Sequence, residues 1–255
     1  SLKDLPIKTP DPFRLTAILK RHSPYDSIIF RADSAARVNL KPDALLNKED
    51  IMLMGKATIA TGSLRRTSLL KEASNTVKVV GIRGNVDTRL KKLKNTPDWD
   101  AIILAEASLE RLGLEADFEV RRLDPEWFVP SASQGALVIE TIKESPLNEK
   151  VEQLDCPITH EMINIERKIL AKLGGDCTMP FGCHFAYETR EKGSAILQGR
   201  AVILAEDGSS ARAEISIPSD YELPHDKIVS EIMKKLKSDG GADIMRKLNL
   251  TQPIW

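Results

Sequence analysis

The sequence is poor in cysteine, in aromatic residues and in any excess of charge. Only three of its 255 residues are cysteines, and none lies in a Cys-x-x-Cys pair, so we expect neither a disulfide framework nor a structural metal site. Lys plus Arg and Asp plus Glu number 37 each, so the formal net charge is zero and nothing global favours a nucleic-acid partner. No apolar run is long enough to span a membrane, and no secretory signal opens the chain. We therefore expect a cytoplasmic globular protein without membrane partners.

Strand-like and helix-like segments alternate through the first half of the chain. Three apolar, β-type runs are each followed by a helical segment. The expected helices begin at Ser63, at Asn85 or Asp87, and at Ser108, and the last ends at Gly113. This alternation predicts an α/β layer with buried strands. Residues 31–56 are mixed and polar and predict a short helix or a loop insert.

The second half indicates a separate, small α+β domain. From Thr159, apolar residues recur on one helical face until Gly174 and Gly175 end the pattern. The stretch "EDGS" is a hairpin turn signal between alternating strands. A second amphipathic segment, "HDKIVSEIMKKLK", follows these strands and predicts another helix.

Arginines recur at, or one turn past, the end of each predicted strand of the α/β layer. They are Arg65 and Arg66, Arg83 with Arg89, and Arg111. Ligands of open α/β sheets bind at this edge, where helix N-termini present free N–H groups. Guanidinium forks bind carboxylate or phosphate through two hydrogen bonds. The pattern therefore predicts a site for an anion with several acidic groups, whereas neither phosphate-loop nor dinucleotide glycine motifs are present.

The stretch "KLGGDCTMPFGCH" holds two of the three cysteines, Cys177 and Cys183. A free cysteine is often a small buried hydrophobic residue. A metal site of Cys177, Cys183 and His184 would lack a fourth ligand. The third possibility is covalent attachment of a group at Cys177, because two glycines and a proline place this residue on a tight loop. The residues by themselves leave these alternatives open.

Several collinear motifs resemble those of the porphobilinogen deaminase (hydroxymethylbilane synthase) family. They are "SLKDLP", "TGSLRR", "IRGNVDTRL", "DAIILAEASLERLGL", "PSASQGAL" and "GGDCTMPFG". The resemblance implies a transferase of porphyrin and heme biosynthesis that polymerises four porphobilinogen units, with loss of ammonia, onto a dipyrromethane cofactor and releases hydroxymethylbilane. It also implies a monomer in the cytoplasm, or in a plastid if the source is a eukaryote.

The resemblance also implies roles for individual residues. Cys177 would carry dipyrromethane through a thioether, and Asp4 would be the catalytic carboxylate that handles the pyrrole nitrogens. Other residues would bind the cofactor without a covalent bond: Lys3, Ser63, Arg65, Arg66, Arg83 and Gly84. Substrate-binding residues would be Arg89, Arg111 and Gln134.

The family's fold implies three domains. Two are α/β lobes similar to those of periplasmic binding proteins, and the third is a small domain with a three-stranded sheet and helices. On this basis we expect residues 1–20 and 136–155 to be a remnant of domain 1. Residues 21–135 would form domain 2, with an arginine-rich cleft, and residues 156–255 domain 3, with the attachment cysteine.

The sequence departs from the family pattern at three places. The chain opens with "SLKDLPIKTP", so we expect this sequence either to be a fragment of a longer product or to belong to a protein without the front of domain 1. The second case raises the alternative of a non-catalytic homologue that binds oligopyrroles or other carboxylates. Ser133 stands where the family has glycine, and a serine there would restrict the loop between the lobes. Asp176 precedes Cys177, and a neighbouring carboxylate would disfavour the thiolate that cofactor attachment needs.

Overall fold

A computed structural model describes residues 1–35, 45–113, 118–175, 179–189, 195–219 and 223–248. These described residues form a mixed α/β structure with three sheets. The strands are β1 (Phe13–Ile18), β2 (Asp26–Phe30), β3 (Thr58–Ala60), β4 (Lys78–Val80), β5 (Ala101–Ala105), β6 (Glu119–Arg122), β7 (Val138–Ile142), β8 (Phe181–Thr189), β9 (Ala195–Leu204) and β10 (Ser210–Pro218). The helices are α1 (Ala32–Ala35), α2 (Lys48–Leu53), α3 (Leu64–Ala73), α4 (Val86–Asn95), α5 (Glu106–Leu112), α6 (Asn148–Glu152), α7 (Pro157–Lys172), α8 (His225–Ser238) and α9 (Gly241–Lys247).

The largest sheet has five strands in the order β4-β3-β5-β2-β6. Strands β4, β3 and β5 are parallel, whereas β2 runs antiparallel to both of its neighbours. Alternate side chains of a strand point to opposite faces. Ile28 and Phe30 of β2 accordingly pack in one core with Leu69 of α3, and Ile29 packs in another with Leu93 of α4. Both faces are thus covered, which confirms the predicted α/β layer.

Helix boundaries in this layer follow local capping chemistry. Ser63 and Asn85 are the N-caps of α3 and α4, and their side chains accept backbone hydrogen bonds at the third helical position. Gly113 ends α5 in the left-handed conformation that glycine adopts at low cost. The predictions for these three positions are confirmed.

Of the strands in the other two sheets, β1 precedes the five-stranded sheet in the chain, and β7–β10 follow it. Strands β1 and β7 form an antiparallel pair, and Leu2, Ile18 and Ala136 pack there with Ile163 of α7. Strands β8, β9 and β10 form an antiparallel sheet whose core includes residues of α7, α8 and α9. The predicted hairpin turn joins β9 to β10, with Gly208 at φ 87°.

Some elements differ from the sequence-based predictions. Strand β6 and helices α6 and α9 were not predicted; α6 and α9 are short, which leaves little periodicity to detect. Residues 36–44 of the expected insert lie outside the described residues; within 45–56 the insert contains α2, with Asn47 as its cap. No helix in the described ranges is both long and apolar enough to cross a membrane.

Candidate functional site

Two adjacent arginines, Arg65 and Arg66, are buried in the first turn of α3. The helix dipole disfavours cations at an N-terminus, and burial removes the water that would solvate them. Ser63 satisfies one backbone N–H there by accepting from Arg66 N at 3.5 Å. The two guanidinium groups need a counter-charge from elsewhere in the chain.

Asp26, the first residue of β2, supplies that counter-charge. Its carboxylate accepts hydrogen bonds from Arg65 Nη2 at 2.6 Å and from Arg66 Nη2 and Nε at 2.7 and 3.1 Å. Burial by itself would raise the pKa of Asp26, but the charges of Arg65 and Arg66 outweigh it and hold the pKa well below its usual range. Asp26 therefore remains ionised and fixes both arginines. The two arginines thus share a buried internal counter-ion, and their cofactor-binding roles stay predictions.

Gln134 connects this cluster to Lys3. Its side chain is fully buried; Nε2 donates to Pro24 O at 2.7 Å and to Asp26 Oδ1 at 3.0 Å. Its Oε1 accepts from Lys3 Nζ at 3.2 Å. Burial, followed by the charge of Arg66, lowers the pKa of Lys3 to about 8. The hydrogen bonds of the Gln134 side chain are thus made within the protein.

A first cavity, of about 190 Å³, opens beside these residues. Its wall includes one acidic side chain, Asp4, and four cationic ones: Lys3, Arg65, Arg66 and Arg89. Burial and the charge of Arg66 lower the pKa of Arg89. In the described part of the chain, the buried Arg65 Nε has no hydrogen-bond partner. The excess of cations in its described lining makes the first cavity suit a ligand with anionic acceptors.

A second cavity, of about 620 Å³, adjoins the first and shares Gly62 and Ser63 with it. Its lining includes Arg83 and Lys92. A Cβ on Gly62 would lie 2.5 Å from the Ile82 carbonyl oxygen, so glycine allows the segments after β3 and β4 to approach closely. The two cavities form one basic groove at the carboxyl ends of parallel strands, where ligands of α/β sheets bind.

The loop at residues 131–135, which carries Gln134, is held by Glu166 of α7. The fully buried Glu166 carboxylate accepts from Arg21 Nη1 and Nη2 at 2.6 and 3.1 Å, and from the Ser133 and Phe185 backbone N–H groups at 2.6 and 2.9 Å. Arg21 Nε donates to the Gln134 carbonyl at 2.8 Å. These bonds fix the loop between α7 and the first cavity.

Two residues of this loop have left-handed backbone conformations. Ser133 adopts φ 65°, a region that favours glycine. This conformation gives a physical basis to the expectation that a serine restricts the loop. Gly135 adopts φ 84°, and a Cβ there would lie 2.6 Å from the Ser23 carbonyl oxygen. Only glycine fits at position 135 without displacing the backbone.

The structure brings most of the predicted site residues together. Those that line the first cavity are Lys3, Asp4, Ser63, Arg65, Arg66, Arg89 and Gln134. Arg83 lines the second cavity. Gly84, at φ 121°, lines neither, but its carbonyl accepts from Arg89 Nε at 2.7 Å and so orients that arginine.

Arg111 is placed differently from the expectation. It is exposed in the last turn of α5 and is not among the residues that line either cavity. Helix α5 begins at Glu106, before the predicted Ser108; Glu106 N–H donates to Tyr25 O, and the Glu106 carboxylate pairs with Arg122. The earlier start moves Arg111 away from the strand end. Its substrate-binding role stays a prediction.

The predicted attachment residue Cys177 and its neighbour Asp176 lie outside the described residues. Cys183 is buried in β8; burial, followed by the charge of Glu166, raises the pKa of its thiol. Burial, followed by the charge of Arg21, lowers the pKa of His184 well below its usual value. Within the described ranges, no three His, Cys, Asp or Glu residues are grouped to hold a metal ion.

A family model described as "Porphobilinogen deaminase, dipyromethane cofactor binding domain" matches residues 1–150, which include the basic groove. The chain belongs to the porphobilinogen deaminase family. A porphobilinogen deaminase of Xylella fastidiosa (strain 9a5c) is 36% identical over 221 residues, which cover 86% of this chain and 66% of that protein. One of Natranaerobius thermophilus is 35% identical over 251 residues, and one of Neisseria meningitidis serogroup A is 33% identical over 247. The chain spans 74% and 72% of the lengths of these two relatives, and just under two thirds of the first.

The cations that line the first cavity suit the acid arms of the family's dipyrromethane cofactor. Each of its two pyrroles carries two carboxylates, and the cavity has four cationic side chains, two of which, Arg65 and Arg66, share Asp26 as a counter-ion. The chemistry of the donor set therefore matches a polycarboxylate.

Sequence reasoning missed three charged residues that build this site: Arg21, Asp26 and Glu166. Asp26 lies just before an apolar run, and two adjacent arginines at a helix start need a counter-charge, which was the available signal for it. Glu166 lies between apolar positions of α7, and only its partners reveal that it is fully buried. An acid among apolar helical positions was the available signal.

Proposed function

We propose that the chain is a porphobilinogen deaminase that joins four porphobilinogen units head to tail onto covalently bound dipyrromethane and releases hydroxymethylbilane. Each addition forms a carbon–carbon bond between pyrrole units, breaks the aminomethyl carbon–nitrogen bond and releases ammonia. The observation that carries the proposal is the first cavity, where cations exceed acids and Arg65 Nε is unpartnered. Membership of the family supplies the identity of the polycarboxylate.

The cations of the basic groove bind and orient acid side chains. Lys3 and Arg89 would bind cofactor or substrate carboxylates directly, and Arg65 would donate through its free Nε. Asp26 would keep Arg65 in place before a ligand arrives, and Gln134 would do the same for Lys3. This arrangement lowers the entropic cost of ordering these side chains on binding. When bound, dipyrromethane supplies the free pyrrole carbon onto which units are added.

Asp4 would be the catalytic carboxylate. It is exposed at the end of the 3-10 turn Leu2–Asp4, next to Lys3, and it is the acidic side chain in the wall of the first cavity. Loss of ammonia and attack by a pyrrole carbon place positive charge on ring nitrogens. A carboxylate that accepts their N–H hydrogen bonds stabilises that charge.

The chain would be divided into three domains, each with one of the three sheets described above. We propose that β1 and β7 belong to domain 1, the five-stranded sheet to domain 2, and β8–β10 with α7–α9 to domain 3. Cys177 would carry the cofactor on domain 3. Gln134 and Glu166 would then join all three parts at the edge of the basic groove.

Intact mass of the purified protein tests cofactor attachment. We expect the wild-type mass to exceed the sequence mass by one dipyrromethane, with colour in acidified Ehrlich reagent. Cys177→Ala should lose both, whereas Cys156→Ala, the matched thiol control, should keep both. An unmodified wild-type mass would contradict the proposal and support the alternative of a non-catalytic oligopyrrole-binding homologue, which the names of the relatives do not favour.

A further inference from the structure

We propose that Lys92 is a substrate-binding residue, whose ammonium group binds a carboxylate of the incoming pyrrole in the second cavity. The inference rests on the proposed function and adds a residue to it. Lys92 belongs to the lysine-rich segment "RLKKLK", which is typical of a solvated helix face. Lys92 is exposed, as Lys91 is, and it lines the second cavity together with Arg83.

The position of Lys92 is fixed by a hydrogen bond that leaves its charge uncompensated. It lies in the last turn of α4, and its Nζ donates to the Arg83 carbonyl at 2.9 Å. An ammonium has three N–H donors, so two remain for a ligand. No carboxylate of the described residues forms an ion pair with Lys92 or with the Arg83 side chain.

The second cavity contains no acidic residue among the described residues that line it. Arg83 and Lys92 therefore give it a formal charge of +2. Hydroxyl groups of Thr61, Ser63 and Thr67 lie in the same lining and offer further donors. The N-terminus of α3, at Leu64, adds backbone N–H groups of the dipole's positive end.

The size and charge of the second cavity fit one pyrrole with two acid arms. Its volume of about 620 Å³ lies within the usual range of roughly 300–1,000 Å³ for small-molecule sites. Because it shares Gly62 and Ser63 with the first cavity, a pyrrole bound there would lie next to the cofactor. Arg83 alone cannot neutralise two carboxylates, and Lys92 supplies the second positive charge.

Lys92 could instead serve only to hold the loop at Arg83, and substitutions separate these two roles. Lys92→Gln removes the charge but retains an N–H donor for the Arg83 carbonyl. Lys92→Arg retains the charge. Lys91→Gln is the matched control, because Lys91 is an exposed neighbour in the same helix that does not line either cavity.

The test combines steady-state kinetics with porphobilinogen and calorimetric titration with glutarate, a simple dicarboxylate. We expect Lys92→Gln to raise KM about three- to tenfold with kcat changed less than twofold, and to weaken glutarate binding by a similar factor. Lys92→Arg and Lys91→Gln should stay within twofold of wild type. Unchanged KM and glutarate affinity in Lys92→Gln, or equal losses in Lys92→Arg, would overturn the inference.

The two measurements also distinguish failure of this inference from failure of the proposed function. Wild-type protein that carries no cofactor and shows no turnover would contradict the deaminase activity. Glutarate titration would still test whether Lys92 binds carboxylate. Failure of wild-type protein to bind glutarate would overturn the anion site itself.

Discussion

Replacement of Asp26 by asparagine should destabilise the protein more than any exchange of an exposed acid. The Asp26 side chain is fully buried, and those of its partners Arg65 and Arg66 are only 3% and 7% exposed. Asparagine has nearly the same shape, but it leaves two buried guanidinium groups without a counter-charge. The substitution therefore tests the charge, not the packing.

The magnitude follows from the ion pairs. Two unit charges about 4 Å apart attract by about 4 kcal/mol at an effective dielectric constant near 20. Asp26 makes two such pairs, and their loss is partly offset because a carboxylate no longer has to be buried. Measured losses on breaking a buried pair are about 3–5 kcal/mol, and we expect a value in that range for Asp26→Asn.

Urea unfolding followed by circular dichroism measures this loss. A loss of about 3–5 kcal/mol should lower the urea midpoint by more than about 1 M. The matched control is Asp11→Asn, which removes an exposed ion pair with Lys143 and should cost at most about 1 kcal/mol. Equal shifts for the two variants would refute the view that Asp26 is the buried counter-ion of both arginines.

The same structure supports four further predictions. Because the pKa of Asp26 is lowered on folding, its contribution to stability is complete above about pH 4 and is lost in stronger acid. The difference in urea midpoint between wild type and Asp26→Asn should therefore narrow below pH 4, and a constant difference would contradict the lowered pKa. Lys3 has a pKa of about 8 and loses its charge as the pH rises, so the glutarate affinity of Cys177→Ala, whose first cavity would hold no cofactor, should fall between pH 7 and pH 9. Lys3→Arg in the same background should reduce that fall in affinity. An equal fall with Lys3→Arg would show that Lys3 does not bind glutarate. Gly135→Ala should lower the free energy of unfolding in urea by about 2 kcal/mol or more, because the new Cβ would meet the Ser23 carbonyl. Gly55 also has a positive φ but open space around its Cβ, so the control Gly55→Ala should cost only about 1 kcal/mol. Asp4→Asn should reduce kcat about 10²- to 10³-fold with the cofactor still attached by mass, whereas near-wild-type turnover would exclude Asp4 as the catalytic carboxylate.

Local signals predicted the α/β layer and several helix boundaries correctly. Capping at Ser63 and Asn85 and the left-handed end at Gly113 depend on residues within one turn, so a single sequence suffices to place them. The antiparallel direction of β2 could not be predicted in this way. The direction of β2 is set by its pairing with β5, which lies far along the chain. An apolar run has the same pattern whether the strand pairs parallel or antiparallel, so the sequence pattern does not predict the direction.

In the candidate site too, some features could be predicted from the sequence and others only from the tertiary structure. The sequence identified the cations, because arginines recur after successive strands. It could not show that Arg65 and Arg66 share a buried Asp26, or that α5 begins early enough to move Arg111 from the strand end. The sequence of α4 has charged residues on most sides, and only the position of the second cavity distinguishes Lys92 from the others.

The sequence by itself determined the family, the capped α/β elements and the set of cationic residues that an anionic ligand requires. Tertiary structure decided which of those cations are free to meet a ligand. Asp26 neutralises part of the charge of Arg65 and Arg66, whereas Arg83 and Lys92 keep theirs beside a cavity. The physical reason is that the free charge of a side chain depends on its neighbours in space, and residues 26, 65 and 134 meet only when β2, α3 and the loop at 131–135 converge.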